Sequence, residues 1–244
     1  MRYWIIILIV VSGCSKEQRN DCFTSLGDNG QEVRITESYT KIYVEDRMEV
    51  VLIQDSTRDG EIVINGPENL LAQVKTKVFD NQLSITNTNT CNFVRSFDYN
   101  ITLELYIKDI DEIRLESIAT VSNRDTLHLD RLNIYHSALS DISLRINCSE
   151  EVYVQSINSA HTQLTGYSRV LKGSIEEISD LDASNLNCEE VLLDTHTPLD
   201  CYVKASKGIF VRIYNTGNIY YYSEPIDYKE INVQRGTGDL ILVK

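Results

Sequence analysis

Val152-Tyr153-Val154-Gln155-Ser156-Ile157-Asn158-Ser159-Ala160-His161-Thr162-Gln163-Leu164 is the stretch that decides the fold. It holds two short alternating pairs, Val152/Val154 and Thr162/Leu164, separated by a polar corner. Alternation at period two puts every second side chain on one face of a β-strand. The unit then repeats in both directions. First pairs recur at Ile113/Leu115, Leu132/Ile134, Val152/Val154, Leu171/Gly173, Val191/Leu193, Ile209/Val211 and Ile231/Val233, with steps of 19, 20, 19, 20, 18 and 22 residues between first members.

A second pair follows most first pairs by ten residues: Ile142/Leu144, Thr162/Leu164, Leu181/Ala183, Cys201/Val203 and Ile219/Tyr221. Leu240/Leu242 comes after nine, and Leu127/Leu129 arrives late in the first rung. Two strands per repeat cannot bury a face alone, so neighbouring repeats must stack. A parallel β-solenoid does this, with each residue about 4.8 Å above its equivalent one coil below.

The corner before each second strand repeats too. Asp141, His161, Asp180, Asp200, Asn218 and Asp239 hold equivalent places, preceded mostly by small residues. Asp, Asn and Gly accept left-handed backbone and bond their own turn. The ladder therefore reads as turn chemistry rather than a cation site; no EF-hand or other calcium-loop pattern accompanies it.

Upstream, residues 31–107 are strand-rich without that period. Val50–Ile53, Glu61–Ile64, Leu83–Ile85 and Ile101–Leu105 read as strands, and Gly66-Pro67 and Asp80-Asn81 as turns. Pro67–Lys75 is the best candidate for a short helix. The chain thus divides into a signal peptide at 1–13, a lipidated tether at 14–30, an N-terminal β region at 31–107 and solenoid repeats at 108–244.

The signal is explicit. Arg2 precedes an apolar run from Trp4 to Val11, and Val11-Ser12-Gly13-Cys14 supplies a small-residue cleavage site. The run is far shorter than the roughly 20 residues a membrane span needs. Val-Ser-Gly-Cys resembles the lipobox of bacterial lipoproteins, which implies cleavage before Cys14 and lipid on that residue. Ser15 in place of Asp after it resembles outer-membrane sorting. The expected location is the outer membrane or cell surface of a Gram-negative bacterium, held by the Cys14 lipid.

Removing residues 1–13 takes away the only tryptophan, Trp4, and one positive charge, which moves the formal net charge from −13 to −14. An acidic chain repels phosphate backbones, so nucleic acid is not an expected partner. Of the five remaining cysteines an odd one must stay unpaired. Cys22 and Cys91 flank the non-repeating region and are the expected disulfide. Cys148 and Cys188 echo one another two coils apart, too far to join.

Gly66-Pro67-Glu68-Asn69-Leu70-Leu71, Val78-Phe79-Asp80-Asn81-Gln82-Leu83-Ser84-Ile85, Asn215-Thr216-Gly217-Asn218-Ile219 and Gly236-Thr237-Gly238-Asp239-Leu240 appear in that order. In this combination the chain resembles the head-GIN-domain family of autotransporter-adhesin-like proteins over about residues 35–244. The resemblance implies an all-β, right-handed parallel β-helix-like fold on an envelope protein, and carries no agreed biochemical role.

No nucleophile elbow, phosphate loop, zinc-protease helix or dinucleotide fingerprint occurs, so no catalytic residue, metal ligand or cofactor is expected. His128, His136, His161 and His196 fall at different places in their coils and read as surface or turn histidines. Outward positions bring Tyr202 and Tyr220 onto adjacent coils, with Tyr222 nearby and Lys204 beside it. Such a stripe can stack on a sugar or anchor a protein partner. Leu192 and Phe210 form a second outward pair. The expected function is a non-catalytic, lipid-anchored binding or adhesion module with a glycan or protein ligand. The alternatives are a carbohydrate-active enzyme on a β-helix, with Asp180 and Asp200 as its carboxylates, and a structural envelope scaffold.

Overall fold

The computed structural model describes residues 25–89, 99–233 and 236–244. Cys14, Cys22 and Cys91 lie outside them. In chain order the elements are β1 (Asn29–Ile35), β2 (Lys41–Val44), β3 (Met48–Gln54), β4 (Glu61–Pro67), a single helical turn α1 (Glu68–Leu71), β5 (Val74–Phe79), β6 (Gln82–Asn87), β7 (Thr102–Ile107), β8 (Glu112–Leu115) and β9 (Ala119–Asn123). They continue as β10 (Leu127–His136), β11 (Asp141–Ser156), β12 (His161–Glu176), β13 (Asp180–His196), β14 (Cys201–Val203), β15 (Ala205–Ile213), β16 (Ile219–Tyr221), β17 (Tyr228–Val233) and β18 (Leu240–Leu242). The fold is all-β, a β-solenoid of about 6 turns.

Parallel ladders run along the solenoid. The first joins β2, β8 and the second halves of β10 to β13, then β15 and β17. The second joins β3, β9 and the first halves of β11 to β13, then β14, β16 and β18. A third arises where the long strands bend, pairing Leu127 with Ile146, Ile146 with Gly166 and Gly166 with Leu186. Leu127 and Leu129 belong to this third ladder. The second-ladder pair of that rung is Ala119/Val121, with Val121 opposite Ile142.

Register follows the repeat from Leu132 to Ile209: Leu132 faces Val152, Val152 faces Leu171, Leu171 faces Val191 and Val191 faces Ile209. At both ends it differs by two residues. Ile113 faces Ile134 rather than Leu132, and Val211 faces Ile231, which leaves Ile209 opposite Lys229. Inward positions form one core: Ile142, Leu144, Ile146, Val152 and Val154 are all buried. Each such side chain contributes about 1.5–3 kcal/mol, and each packs on its equivalents above and below.

The strands of the N-terminal region stack on the same ladders, out of sequence order. β2 lies between β6 and β8, and β3 lies between β7 and β9. β5 hairpins onto β6 through Asp80 and Asn81, both left-handed (φ 49 and 62), as that dipeptide predicts. β4 and then β1 add antiparallel strands beyond β7. Pairing in β1 starts at Asn29, inside the stretch read as tether.

The corners depart from expectation in one respect. Left-handed backbone sits not at Asp141, His161 and Asp180 but three residues earlier, at Ala138, Asn158 and Glu177 (φ 63, 70 and 57). Asp141, His161 and Asp180 are instead the first residues of their strands, whereas Asp200, Asn218 and Asp239 lie one residue before theirs.

His136 also departs. It is buried, not a surface or turn histidine, because it lies opposite Leu115 on an inward position of the first ladder. Its Nδ1 is 3.0 Å from Ser140 Oγ, and its Nε2 is 2.7 Å from Thr162 Oγ1 and 2.8 Å from Ser156 Oγ. Burial, with a smaller push from His161, lowers its pKa from 6.5 to about 4. The ring is a neutral member of the core.

Candidate functional site

The tyrosine stripe is built by two short strands of the second ladder. In β14 and β16, Cys201, Val203, Ile219 and Tyr221 point inward and are buried, which forces the intervening side chains outward. Tyr202 therefore lies opposite Tyr220. Their rings stack with centroids 5.5 Å apart and planes 17° from parallel. Beyond the pairing of Val203 with Tyr221, the Tyr222 N–H donates to Val203 O at 3.1 Å, and Lys204 follows Val203 in the chain. Tyr222 is exposed, and Tyr220 is followed by Ile241 on β18. Of the sequence-selected residues, Tyr202, Tyr220 and Tyr222 lie near one another, and Lys204 is two residues along the chain from Tyr202.

Partial burial, followed by the negative charge of Asp200, raises the pKa of Tyr202. Its hydroxyl stays protonated at neutral pH and can donate as well as accept. The stacked pair is held on two adjacent strand backbones, with one face of each ring covered by the other.

A second ring stack lies outside the residues that the sequence pattern singles out. His196 and Tyr214 lie 4.1 Å apart and 6° from parallel at the end of the first ladder. It flanks the same corner as the tyrosines, since residues 197–201 connect His196 to Tyr202. The step from His196 to Tyr214 equals that from Val191 to Ile209, and that spacing was the available signal. Asn215 Nδ2 donates to His196 O at 3.1 Å and fixes the upper corner. Leu192 and Phe210 face one another on the first ladder, both half-buried.

The acidic ladder between the stacks is engaged in the turns. Asp200 Oδ1 accepts the Asn218 N–H at 2.8 Å, and Asn218 Oδ1 accepts the Asp239 N–H at 3.1 Å. His161 Nδ1 lies 2.8 Å from Asp180 Oδ2. Each side chain ties one coil to the next. Among the described residues no group of three or more His, Cys, Asp or Glu is placed to hold a metal ion.

Cys148, Cys188 and Cys201 are free and buried. Burial pushes the Cys188 and Cys201 thiols up to about 12, and raises Cys148 as well. They are packing residues rather than nucleophiles.

Comparison with known proteins agrees with the fold. A family model described as "Putative auto-transporter adhesin, head GIN domain" matches residues 38–225. The crystal structure of a "putative adhesin" from Bacteroides fragilis NCTC 9343 superposes with a TM-score of 0.81 at 18% identity, covering 88% of this chain and 97% of that one. A "putative adhesin" from Parabacteroides distasonis ATCC 8503 gives 0.68 at 15% identity, covering 89% and 98%. A "Putative lipid binding protein" from the same strain gives 0.53 at 16% identity, covering 89% and 98%. At these identities the likeness is one of fold. No curated protein matches the chain.

Proposed function

We propose that this chain, which belongs to the head GIN domain family of adhesin-like proteins, is a non-catalytic binding module anchored to the cell envelope by lipid on Cys14. Its ligand is a glycan or a protein surface, and the contact is the stripe of Tyr202, Tyr220 and Tyr222 with Lys204 beside it. The observation that carries this reading is the Tyr202–Tyr220 stack, an outward aromatic pair on a rigid sheet face.

The turn carboxylates favour binding over glycosidic cleavage. Cleavage needs two carboxyl groups about 5–9.5 Å apart, one with a raised pKa. Asp180 pairs with His161, and Asp200 accepts a backbone N–H. Both carboxylates are engaged in tying one coil to the next rather than facing each other across a cleft. The lipobox supports placement on the outer membrane or cell surface of a Gram-negative bacterium.

Two measurements test the proposal. A glycan array probed with the mature protein should show retention on a restricted set of glycans. Metabolic labelling with a fatty acid should mark the protein at Cys14. Absence of retention on glycans and on envelope protein fractions alike would contradict the binding role. Absence of label would contradict the anchor.

A further inference from the structure

We propose that the outward face of the second ladder is one continuous lane for an extended, neutral polysaccharide strand, with an amide-lined subsite at its N-terminal end and the tyrosine platform at the other. This rests on the binding role proposed above and specifies its ligand class.

The subsite is a cleft of about 430 Å³ where β1, β4 and β7 meet. Its polar lining is Asn29, Gln31, Asn65, Asn100 and Thr102, with no charged side chain in a chain of formal charge −13. Gln31 Nε2 donates to Asn65 Oδ1 at 2.9 Å, which orients both amides. A carboxamide offers donors and an acceptor side by side, the complement of a sugar hydroxyl pair. Gly66 completes the wall. A Cβ there would come 3.1 Å from the Asn100 carbonyl oxygen, so glycine lets the two segments lie close.

The cleft opens directly onto the ladder face. Asn65 faces Thr102, Thr102 faces Glu49, Glu49 faces Thr120 and Thr120 faces Asp141. The adjoining outward column runs Val51, Ser122, Ser143, Gln163, Asp182 and Tyr202. Small side chains at Thr120, Ser122 and Ser143 keep the middle flat. From Asn65 on β4 to Tyr220 on β16 the face crosses eight ladder steps, through β7, β3, β9, β11, β12, β13 and β14. At ~4.8 Å per step this is about 38 Å. A mono- or disaccharide cannot span it; a polymer strand can.

Charge selects the polymer. Glu49, Glu104, Asp141, Asp180, Asp182 and Asp200 outnumber Arg124, Arg145 and Lys204 along these columns, so a polyanion is repelled along most of the lane. One strand held at both ends gains effective concentration for the second contact, an avidity of roughly 10²-fold or more.

The test is affinity electrophoresis of the detergent-solubilised mature protein in gels containing barley β-glucan, xylan, galactomannan or chondroitin sulfate. At least one neutral polymer should retard the wild-type protein, its tetrasaccharide should fail to compete at equal mass, and chondroitin sulfate should not retard it. Gln31→Ala with Asn65→Ala, and separately Tyr202→Ser with Tyr220→Ser, should each weaken retardation tenfold or more. Gln31→Ala alone, at an exposed position, serves if the double variant fails to fold. Wild-type retardation by the cleft variants, alongside loss in the tyrosine pair, would remove the lane and leave the platform standing. Retardation by chondroitin sulfate alone would overturn the neutral assignment. No retardation of the wild type by any polymer would remove both the lane and the glycan ligand.

Discussion

Cys148 and Cys188 occupy one inward column of the third ladder with Ser168 between them. Two ladder steps are about 9.6 Å, beyond the ~7 Å Cα limit for a disulfide. Both thiols are buried, and both are held above their ordinary pKa by desolvation. Native protein should therefore leave Cys148, Cys188 and Cys201 unlabelled by iodoacetamide at pH 8, and full labelling should require denaturant. A Cys148–Cys188 linkage in non-reducing peptide maps would mean that the coil register is wrong.

His136 makes stability depend on pH. In the unfolded chain an imidazole takes its proton near 6.5, whereas folded His136 refuses it until about 4. The unfolded state binds more protons between those values. Stability contributed by the neutral ring is complete above pH 6.5, declines as pH falls through that window, and is lost below about 4, amounting to ~3 kcal/mol. His136→Gln should flatten this part of the profile in urea unfolding measured from pH 7 to 4. Equal slopes in both proteins would show that the ring is not buried neutral.

Gly166 tests the third ladder. Its φ of +107 is outside the range of L-residues, and a Cβ there would overlap the carbonyl oxygen of Ile146 one coil below. Gly166→Ala should cost about 2 kcal/mol or more. Arg169→Ala, exposed on the same strand, should stay within about 0.5 kcal/mol. Similar thermal midpoints for the two variants would contradict the bend at Gly166.

The anchor has its own test. Cys14→Ala should abolish fatty-acid labelling and leave the precursor uncut. Normal maturation of that variant would assign the cleavage to an ordinary signal peptidase instead.

Much of the solenoid was legible because its middle coils obey apolar alternation. The reading slipped where an inward position carries a polar side chain. His136 stands opposite Leu115, so apolar alternation alone places the pair two residues too early. At the other end Lys229 faces Ile209, its ammonium donating to Tyr221 Oη at 2.9 Å, and alternation alone places the pair two residues too late. The N-terminal coils hid their period because β4–α1–β5 and the hairpin to β6 interrupt them. Their ladder partners, such as Ile42 with Leu83 and Ile113, are not evenly spaced in the chain. Tyr202 and Tyr220 were legible as outward positions of successive coils. The amide cleft was not, since antiparallel pairing of β1 and β4 brings Gln31 to Asn65, a contact no repeat encodes.

The most direct test of the proposed function is ligand retention by the Tyr202→Ser, Tyr220→Ser, Tyr222→Ser triple variant, measured beside its thermal midpoint. The Tyr202 and Tyr220 rings project from the outer face of β14 and β16, Tyr222 follows β16 directly, and the three carry little of the folding energy, which resides in the buried column of Cys201, Val203, Ile219 and Tyr221. The account predicts that retention on the glycan or protein ligand is lost while the midpoint moves by no more than a few degrees. Full retention by a stably folded triple variant would contradict it and move the binding surface away from the tyrosine platform.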